Sequence, residues 1–197
     1  MTRRVAIVLL TPVRWAPPGI DPSTWRMALA EDVVDLLATL AEIEPAIAAT
    51  APDRGLAEAV AWPGMRLYDV ASATPCAALA AASADGYEQA AVLAADAPDL
   101  PGLVVGKLLR PLTTRAVAVA PAAGGPGLLG LAARLPAPDW LPDGDLDTLD
   151  WSGLRTAAPR PALVAQTPGW HRMRGPADLA RLDPALEGWD TTRALLS

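Results

Sequence analysis

Two carboxylates separated by three positions are the first residues whose type and spacing could do chemistry. Residues 94–101 read AADAPDLP, which puts Asp96 directly after an apolar run and Asp99 shortly beyond it. A carboxylate at a strand end can hold Mg²⁺, which takes one or two protein carboxylates and completes its shell with phosphate and water. A structural explanation competes, because Asp99 could cap a following helix while Asp96 merely ends a strand. Spacing alone favours the structural explanation.

The elements around these carboxylates follow an alternating pattern. The continuous apolar run at 5–10 is typical of a buried parallel strand. Further strands are predicted at 46–50, 66–70, 90–95, 116–120, 128–135 and 162–165. Helices are predicted at 25–40 with Ser23 or Thr24 as the cap, from Thr74 and Pro75 onward, and at 53–61, 103–110, 151–158 and 176–182. Residues 143–150 are predicted to form an acidic loop.

This alternation predicts one α/β domain over residues 1–197, with a mostly parallel central sheet flanked by helices. Ligands of such sheets bind beyond the carboxyl ends of the strands. The loops after Leu10, Ala95 and Ala120 are therefore the expected binding region, and Asp96 begins one of them.

Four segments in the second half of the chain resemble one family as a set. AADAPDLP resembles the G-[ST]-D-x-P-D-L-[PT] segment of a bacterial family of GT-A-type glycosyltransferase-like proteins. Residues 121–131 (PAAGGPGLLGL), 150–154 (DWSGL) and 170–182 (WHRMRGPADLARL) are similar to later motifs of that family, in the same order and spacing. The family includes proteins of arsenosugar biosynthesis and is related to the 2-phospho-lactate and molybdenum-cofactor guanylyltransferases. Upstream of residue 90 only the order of strands and helices agrees.

The resemblance implies a nucleotide-diphospho-sugar transferase-like fold and a nucleotide or nucleotide sugar as ligand. It implies that Asp96 and Asp99 are the catalytic candidates and that Asp96 would hold Mg²⁺ or Mn²⁺. The paired glycines Gly124 and Gly125 could let the backbone approach a ligand closely, or they could form a plain turn. Residues 125–130 match the pattern G-x-G-x-x-G. We do not interpret this match as a dinucleotide-binding motif, because that motif opens a helix and here an apolar, strand-like run follows.

The sequence departs from the family at its chemical residues. Ala123 replaces the aspartate before the paired glycines, while Arg172 and Arg174 stand at the two aspartates of the C-terminal motif. An arginine cannot bind a metal, but a guanidinium about 5 Å from a phosphate gains roughly 3 kcal/mol at an effective dielectric near 20. Arg172 and Arg174 could thus support metal-independent binding of a diphosphate, or they could be surface arginines of an inactive site. If both lie near Asp96, repulsion disfavours a metal there.

The family's N-terminal phosphate loop, P-G-x-x-K-T-R-L, is echoed only by Pro18 and Gly19, without its lysine. Arg14 and Arg26 are the nearest basic residues that could replace it, so Gly19, Arg14 and Arg26 are the predicted phosphate contacts of this loop. His171 is the single histidine. It stands one position from the family's acidic residue, which favours a surface histidine over a metal ligand.

Composition limits the partners. A formal net charge of −6 argues against a broad nucleic-acid-binding face, which needs clustered Lys and Arg. One cysteine excludes a disulfide framework, and the apolar runs are too short for a membrane span, so a cytoplasmic protein is expected. The apolar composition is compatible with a homodimer.

Two functions stay open: a nucleotidyl- or glycosyltransferase, and a non-catalytic binding or scaffold protein that kept the transferase fold.

Overall fold

A computed structural model describes residues 2–197 and contains one seven-stranded sheet. Its strands are β1 (Arg4–Leu9), β2 (Glu44–Ala49), β3 (Arg66–Asp69), β4 (Gln89–Ala94), β5 (Val117–Pro121), β6 (Leu128–Arg134) and β7 (Val164–Gln166). They are arranged in the order β3-β2-β1-β4-β6-β5-β7. Only β6 runs antiparallel to its neighbours β4 and β5, and the other pairs are parallel. The predicted mostly parallel α/β sheet is confirmed.

Helices cover both faces of this sheet. They are α1 (Pro22–Ala38), α2 (Arg54–Val60), α3 (Pro75–Ala84), α4 (Gly102–Leu109), α5 (Trp151–Ala157), α6 (Pro176–Leu179) and α7 (Asp190–Leu195). Alternate residues of β1 enter opposite cores, because successive side chains of a strand point to opposite faces. Val5 and Ile7 join the core under α3 and α5, while Ala6 and Val8 join the core under α1, α2 and α4.

Two expected element boundaries are wrong. Helix α1 is capped by Asp21, whose Oδ2 accepts hydrogen bonds from the backbone N–H groups of Ser23 and Thr24, so neither of those residues is the cap. Proline is tolerated at the first helical position, here Pro22, because the backbone N–H of that position would have no hydrogen-bond acceptor within the helix. The helix expected over 176–182 ends at Leu179, since the N–H groups of Arg181 and Leu182 bond three residues back and tighten the turn.

The C-terminal helix α7 docks on α1 through a buried carboxylate. Asp32 of α1 is only 1% exposed and accepts hydrogen bonds from the backbone N–H groups of Thr191 (3.1 Å) and Thr192 (2.8 Å). Burial raises the pKa of Asp32, while these hydrogen bonds oppose the rise. These hydrogen bonds hold the residues after α6 against α1, the helix that follows the first loop.

Among residues 2–197, no helix combines the length and the apolar character needed to cross a membrane.

Candidate functional site

Residues 170–174, here called the crossing segment, run across the carboxyl ends of β4 and β5. The backbone N–H of Ala123 donates to the carbonyl of Trp170 (2.9 Å), and the N–H of Met173 donates to the carbonyl of Asp96 (2.7 Å). Gly169 precedes the segment and lies so close to β5 that an added Cβ would be 2.0 Å from the carbonyl oxygen of Pro121. These contacts fix the register that brings the side chain of Arg172 to Asp96.

Asp96 and Arg172 form a buried bidentate ion pair. Arg172 Nε lies 2.5 Å from Asp96 Oδ1, and Arg172 Nη2 lies 2.9 Å from Asp96 Oδ2. The two side chains are 4% (Arg172) and 12% (Asp96) exposed. Burial opposes the charge on the guanidinium, yet the carboxylates of Asp96 and Asp147 raise the pKa of Arg172 above its ordinary value. Both oxygens of the strand-end carboxylate are therefore engaged by a guanidinium.

A second carboxylate, Asp147 of the acidic loop, joins three arginines. Its Oδ1 accepts from Arg172 Nη1 (2.7 Å) and Arg174 Nη2 (2.9 Å), and its Oδ2 lies 2.9 Å from Arg14 Nη2. We call Arg14, Arg172 and Arg174 the arginine cluster. Burial opposes ionisation of Asp147, but Arg172, Arg174 and Arg14 hold its pKa below the usual range. Burial and the neighbouring Arg172 lower the pKa of Arg174. Three guanidiniums face two carboxylates, Asp96 and Asp147, so the group carries one net positive charge.

Two clefts flank this group. The first, of about 390 Å³, is lined by Thr11, Pro12, Arg14, Ala73, Thr74, Asp145, Leu146, Asp147 and Arg172. The second, of about 320 Å³, is lined by Ala122, Ala123, Gly124, Gly125, Pro126, Arg172, Arg174, Gly175, Ala177, Asp178 and Arg181. Arg172 borders both clefts. A cavity of about 340 Å³ beside Glu44, Trp62 and Tyr87 lies at the opposite, amino end of the strands and contains none of these residues.

The predicted phosphate contacts divide between these clefts and other places. Arg14 lines the first cleft, whereas Gly124, Gly125 and Arg174 line the second. Gly19 sits in an exposed turn with φ +88° and lines neither cleft. Arg26 is also outside both, because its Nε donates to the carbonyl of Thr11 (3.0 Å) and its Nη1 to Asp53 (2.7 Å). Arg26 thus holds the first loop in place and does not face a ligand cleft.

Asp99 is a buried anchor of the C-terminal region. Its side chain is 0% exposed, and its Oδ1 accepts from Trp170 Nε1 (3.0 Å) and lies 2.8 Å from His171 Nε2. Its Oδ2 accepts from the backbone N–H of Asp183 (3.2 Å). Burial works against the charge, but these donors lower the pKa of Asp99 overall. Asp99 lines neither cleft, and it caps no helix, since α4 begins after Pro101 without a side-chain cap.

His171 is buried, at 7% exposure, so the expectation of a surface histidine is wrong. The crossing segment turns the imidazole inward against Asp99, with its ring 5.0 Å from that of Trp170. Sequence reasoning also missed Asp147. The acidic character of residues 143–150 was visible, but only the fold brings one member of that loop against arginines more than a hundred residues upstream and some 25 residues downstream.

These residues do not fit a divalent cation in the present arrangement. Among residues 2–197, no group of three or more His, Cys, Asp or Glu side chains is placed to hold a metal. Asp96 gives both oxygens to Arg172, and Asp147 is itself bonded to arginines. Mg²⁺ and Mn²⁺ need oxygen ligands that are free to coordinate. The positive charge at this end of the sheet comes from guanidinium groups.

No family model matches the sequence, and no curated protein matches it. Solved structures do match. A protein of Desulfovibrio desulfuricans G20 assigned as a nucleotide-diphospho-sugar transferase superposes with a TM-score of 0.67 at 16% identity, covering 98% of this chain and 95% of that one. The 4-diphosphocytidyl-2C-methyl-D-erythritol synthase of Anaerococcus prevotii gives 0.61 at 11% identity, covering 100% and 96%.

The glucosyl-3-phosphoglycerate synthase of Mycobacterium tuberculosis, solved with Mn²⁺, UDP and glucosyl-3-phosphoglycerate, gives a TM-score of 0.57 at 17% identity and covers 98% of this chain and 78% of that one. Identities this low show the fold alone. The narrower resemblance to arsenosugar-biosynthesis proteins stays a prediction. The chain has the fold of the nucleotide-diphospho-sugar transferases.

Proposed function

We propose that this protein binds a nucleotide or nucleotide sugar in the first cleft, with the phosphates against Arg14 and Arg172 and without a divalent metal. The observation that carries the proposal is the bidentate pairing of Asp96 by Arg172. A fixed cation already occupies the strand-end carboxylate, and three arginines meet the two carboxylates that pair with them, with Asp145 as a further carboxylate on the wall of the first cleft. Guanidinium groups bind phosphate bidentately, so they can supply the charge that a metal supplies elsewhere.

Further features of the first cleft support an anionic ligand. Arg14 is 68% exposed on its side chain, so it keeps donors free for a ligand. Thr74 caps α3 and lines the cleft, which brings the positive end of that helix dipole to the wall. Solved neighbours of the same fold contain UDP with Mn²⁺, UDP-glucose, or CTP.

A transferase of this design would act by positioning and charge stabilisation. Arg14 and Arg172 would hold the diphosphate and stabilise the negative charge that develops on it as the transferred group leaves. No covalent intermediate is required. The acceptor would enter from the second cleft, which Arg172 separates from the first.

The test is thermal unfolding with a panel of nucleoside diphosphates, nucleoside triphosphates and nucleotide sugars, each with EDTA and with Mn²⁺. A true ligand should raise the unfolding temperature by several degrees in EDTA. Arg14→Ala should remove most of that shift. Arg160→Ala is the matched control, since it deletes an exposed arginine outside both clefts. Absence of any shift across the panel, or equal loss in both variants, would overturn the proposal.

A specific observation favours a second candidate, a non-catalytic binding protein. The side chain of Asp99 is fully buried against the C-terminal region, and both oxygens of Asp96 accept hydrogen bonds from Arg172. Neither predicted catalytic carboxylate is therefore available to a substrate. ³¹P NMR of the tightest-binding nucleotide sugar separates the two functions. Breakdown of the donor, with water or a panel of hydroxyl and phosphate acceptors taking the transferred group, that Arg14→Ala slows indicates a transferase. Binding with an unchanged donor under all of these conditions indicates a binding protein.

A further inference from the structure

Asp147 connects a buried pair of arginines with an exposed one. Its Oδ1 accepts from Arg172 and Arg174, whose side chains are 4% and 18% exposed. Its Oδ2 faces Arg14, whose side chain is 68% exposed. The two halves of this bridge therefore differ in strength, because an exposed ion pair contributes little and is screened by salt.

The backbone under Asp147 is fixed independently of Arg14. Leu146 and Leu149 are buried on either side of it, and the N–H of Leu128 donates to the carbonyl of Leu146 (2.7 Å). Asp145 Oδ1 accepts from the N–H groups of Asp147 (3.0 Å) and Thr148 (2.8 Å). Loss of the contact with Arg14 would leave the carboxylate of Asp147 where it is, against the buried arginines.

Arg14 belongs to the first loop and Asp147 to the acidic loop, and both line the first cleft. A ligand phosphate entering this cleft meets an arginine that is already paired with a carboxylate. We propose that Asp147 is an internal counter-anion, which holds Arg14 at the first cleft, gives it up to a phosphate of the ligand and takes it back on release. This inference rests on the proposed function, because it concerns the same cleft.

The direction in which ligand affinity changes when Asp147 is removed distinguishes this role from other roles for an acidic residue. A carboxylate that bound a metal or a sugar hydroxyl would strengthen ligand binding, and its removal would weaken it. A counter-anion competes for Arg14 and repels the incoming phosphate, so its removal strengthens binding. The gain grows with the charge of the ligand, which makes it larger for pyrophosphate than for inorganic phosphate.

The experiment is calorimetric titration with inorganic pyrophosphate in EDTA. Asp147→Asn should bind pyrophosphate about five- to tenfold more tightly than the wild type, as expected for removal of one nearby charge in a partly solvated cleft. Asp143→Asn is the matched control. It removes the same charge from the same acidic loop, at an exposed position that lines neither cleft. This control should change the affinity by less than about twofold.

A wild-type crystal structure with pyrophosphate gives an answer that needs no folded variant. The guanidinium of Arg14 should lie on the pyrophosphate and more than about 4 Å from Asp147, beyond ion-pair distance. Weaker or unchanged binding in Asp147→Asn, or a bound pyrophosphate with Arg14 still on Asp147, overturns the inference. The thermal unfolding experiment with nucleotides tests the proposed function separately. If nucleotides stabilise the protein but Asp147→Asn does not bind pyrophosphate more tightly, the proposed function stands and this inference fails. If Asp147→Asn binds pyrophosphate more tightly but no nucleotide stabilises the protein, the proposed function fails instead.

Discussion

At the scale of single residues, Arg172 has the largest structural role in the site. Its guanidinium pairs with Asp96 and with Oδ1 of Asp147, and its side chain is only 4% exposed. We expect Arg172→Ala to lower the free energy of unfolding by about 3–5 kcal/mol, because it leaves a buried carboxylate without its counter-ion. Urea denaturation at neutral pH measures this.

A companion variant identifies the cause of that loss. Asp96→Ala in the Arg172→Ala background removes the orphaned carboxylate, so the double variant should lose clearly less than the sum of the two single variants. Additive losses would contradict a direct pairing.

Asp99 allows a pH prediction with a definite sign. Its pKa in the folded protein lies below the ordinary value of 3.8, because Trp170, His171 and the N–H of Asp183 outweigh the effect of burial. The ionised carboxylate therefore contributes stability above about pH 4, and that stability is lost as the pH falls through the lower folded pKa. Asp99→Asn should cost about 2 kcal/mol at pH 7, and the deficit should shrink below pH 4.

Urea titrations of the wild type and Asp99→Asn between neutral pH and pH 3 check this. Asp183→Asn serves as the control, since Asp99 accepts from the backbone N–H of residue 183 and that donor is retained. A deficit that stays constant down to pH 3 would show that Asp99 contributes by packing alone.

At the same scale, the contacts of single side chains go beyond what the sequence predicts. Asp96 pairs with Arg172, and Arg174 bonds to Asp147 beside this pair. The partner of each side chain could not be predicted, because pairing depends on the backbone hydrogen bonds that set the register of residues 170–174. Asp147 and the burial of His171 depend on the same tertiary contacts.

At the scale of elements, apolar runs predicted β1, β4, β5 and β6, because strands buried on both faces leave a continuous apolar signal. The edge strand β7 was expected at 162–165 and lies at Val164–Gln166, since its burial is only partial. The antiparallel direction of β6 leaves no such signal, since burial on both faces looks the same in either direction. The six-residue helix α7 was also invisible. Helices this short are unstable alone, and α7 depends on Asp32 of α1 for its amino-end hydrogen bonds.

The crossing segment is the element whose placement the site needs most, and Gly169 controls it. An added Cβ would lie 2.0 Å from the backbone carbonyl of Pro121, so the segment must move away from β5. We expect Gly169→Ala to cost about 2–4 kcal/mol, in the range of other changes that force backbone shifts in packed regions. It should also increase hydrogen exchange at the N–H of Ala123, which bonds to Trp170.

Gly125→Ala is the matched control for this change. It lies in the neighbouring turn, has no positive φ, and its added Cβ would meet only Arg174 Nη1 at an ordinary 3.6 Å. It should alter stability by less than about 1 kcal/mol. Equal destabilisation by the two variants would mean that the close approach at Gly169 does not determine the register.

At the scale of the whole molecule, the charge distribution is uneven. The chain carries a formal net charge of −6, yet its carboxyl-end clefts share a group of three arginines. Arg172 and Arg174 have fixed partners in the fold before any ligand arrives, so these two arginines cost little reorganisation on binding. The expected homodimer and the cytoplasmic location stay predictions, because neither follows from this arrangement.

The same distribution makes metal dependence the sharpest test of the molecule as a whole. If guanidinium groups replace the metal, the affinity for the best nucleotide ligand should change by less than about twofold between excess EDTA and millimolar Mn²⁺. Arg14→Ala should weaken binding about tenfold under both conditions, since Arg14 lines the first cleft and a charge-assisted contact to phosphate contributes roughly 1.5–3 kcal/mol. Arg160→Ala, which removes an equal charge outside both clefts, should leave it unchanged. Binding that requires Mn²⁺ and survives Arg14→Ala would mean that the pairing of Asp96 with Arg172 opens to admit a cation, and that the arginines stabilise the empty site instead of holding the ligand.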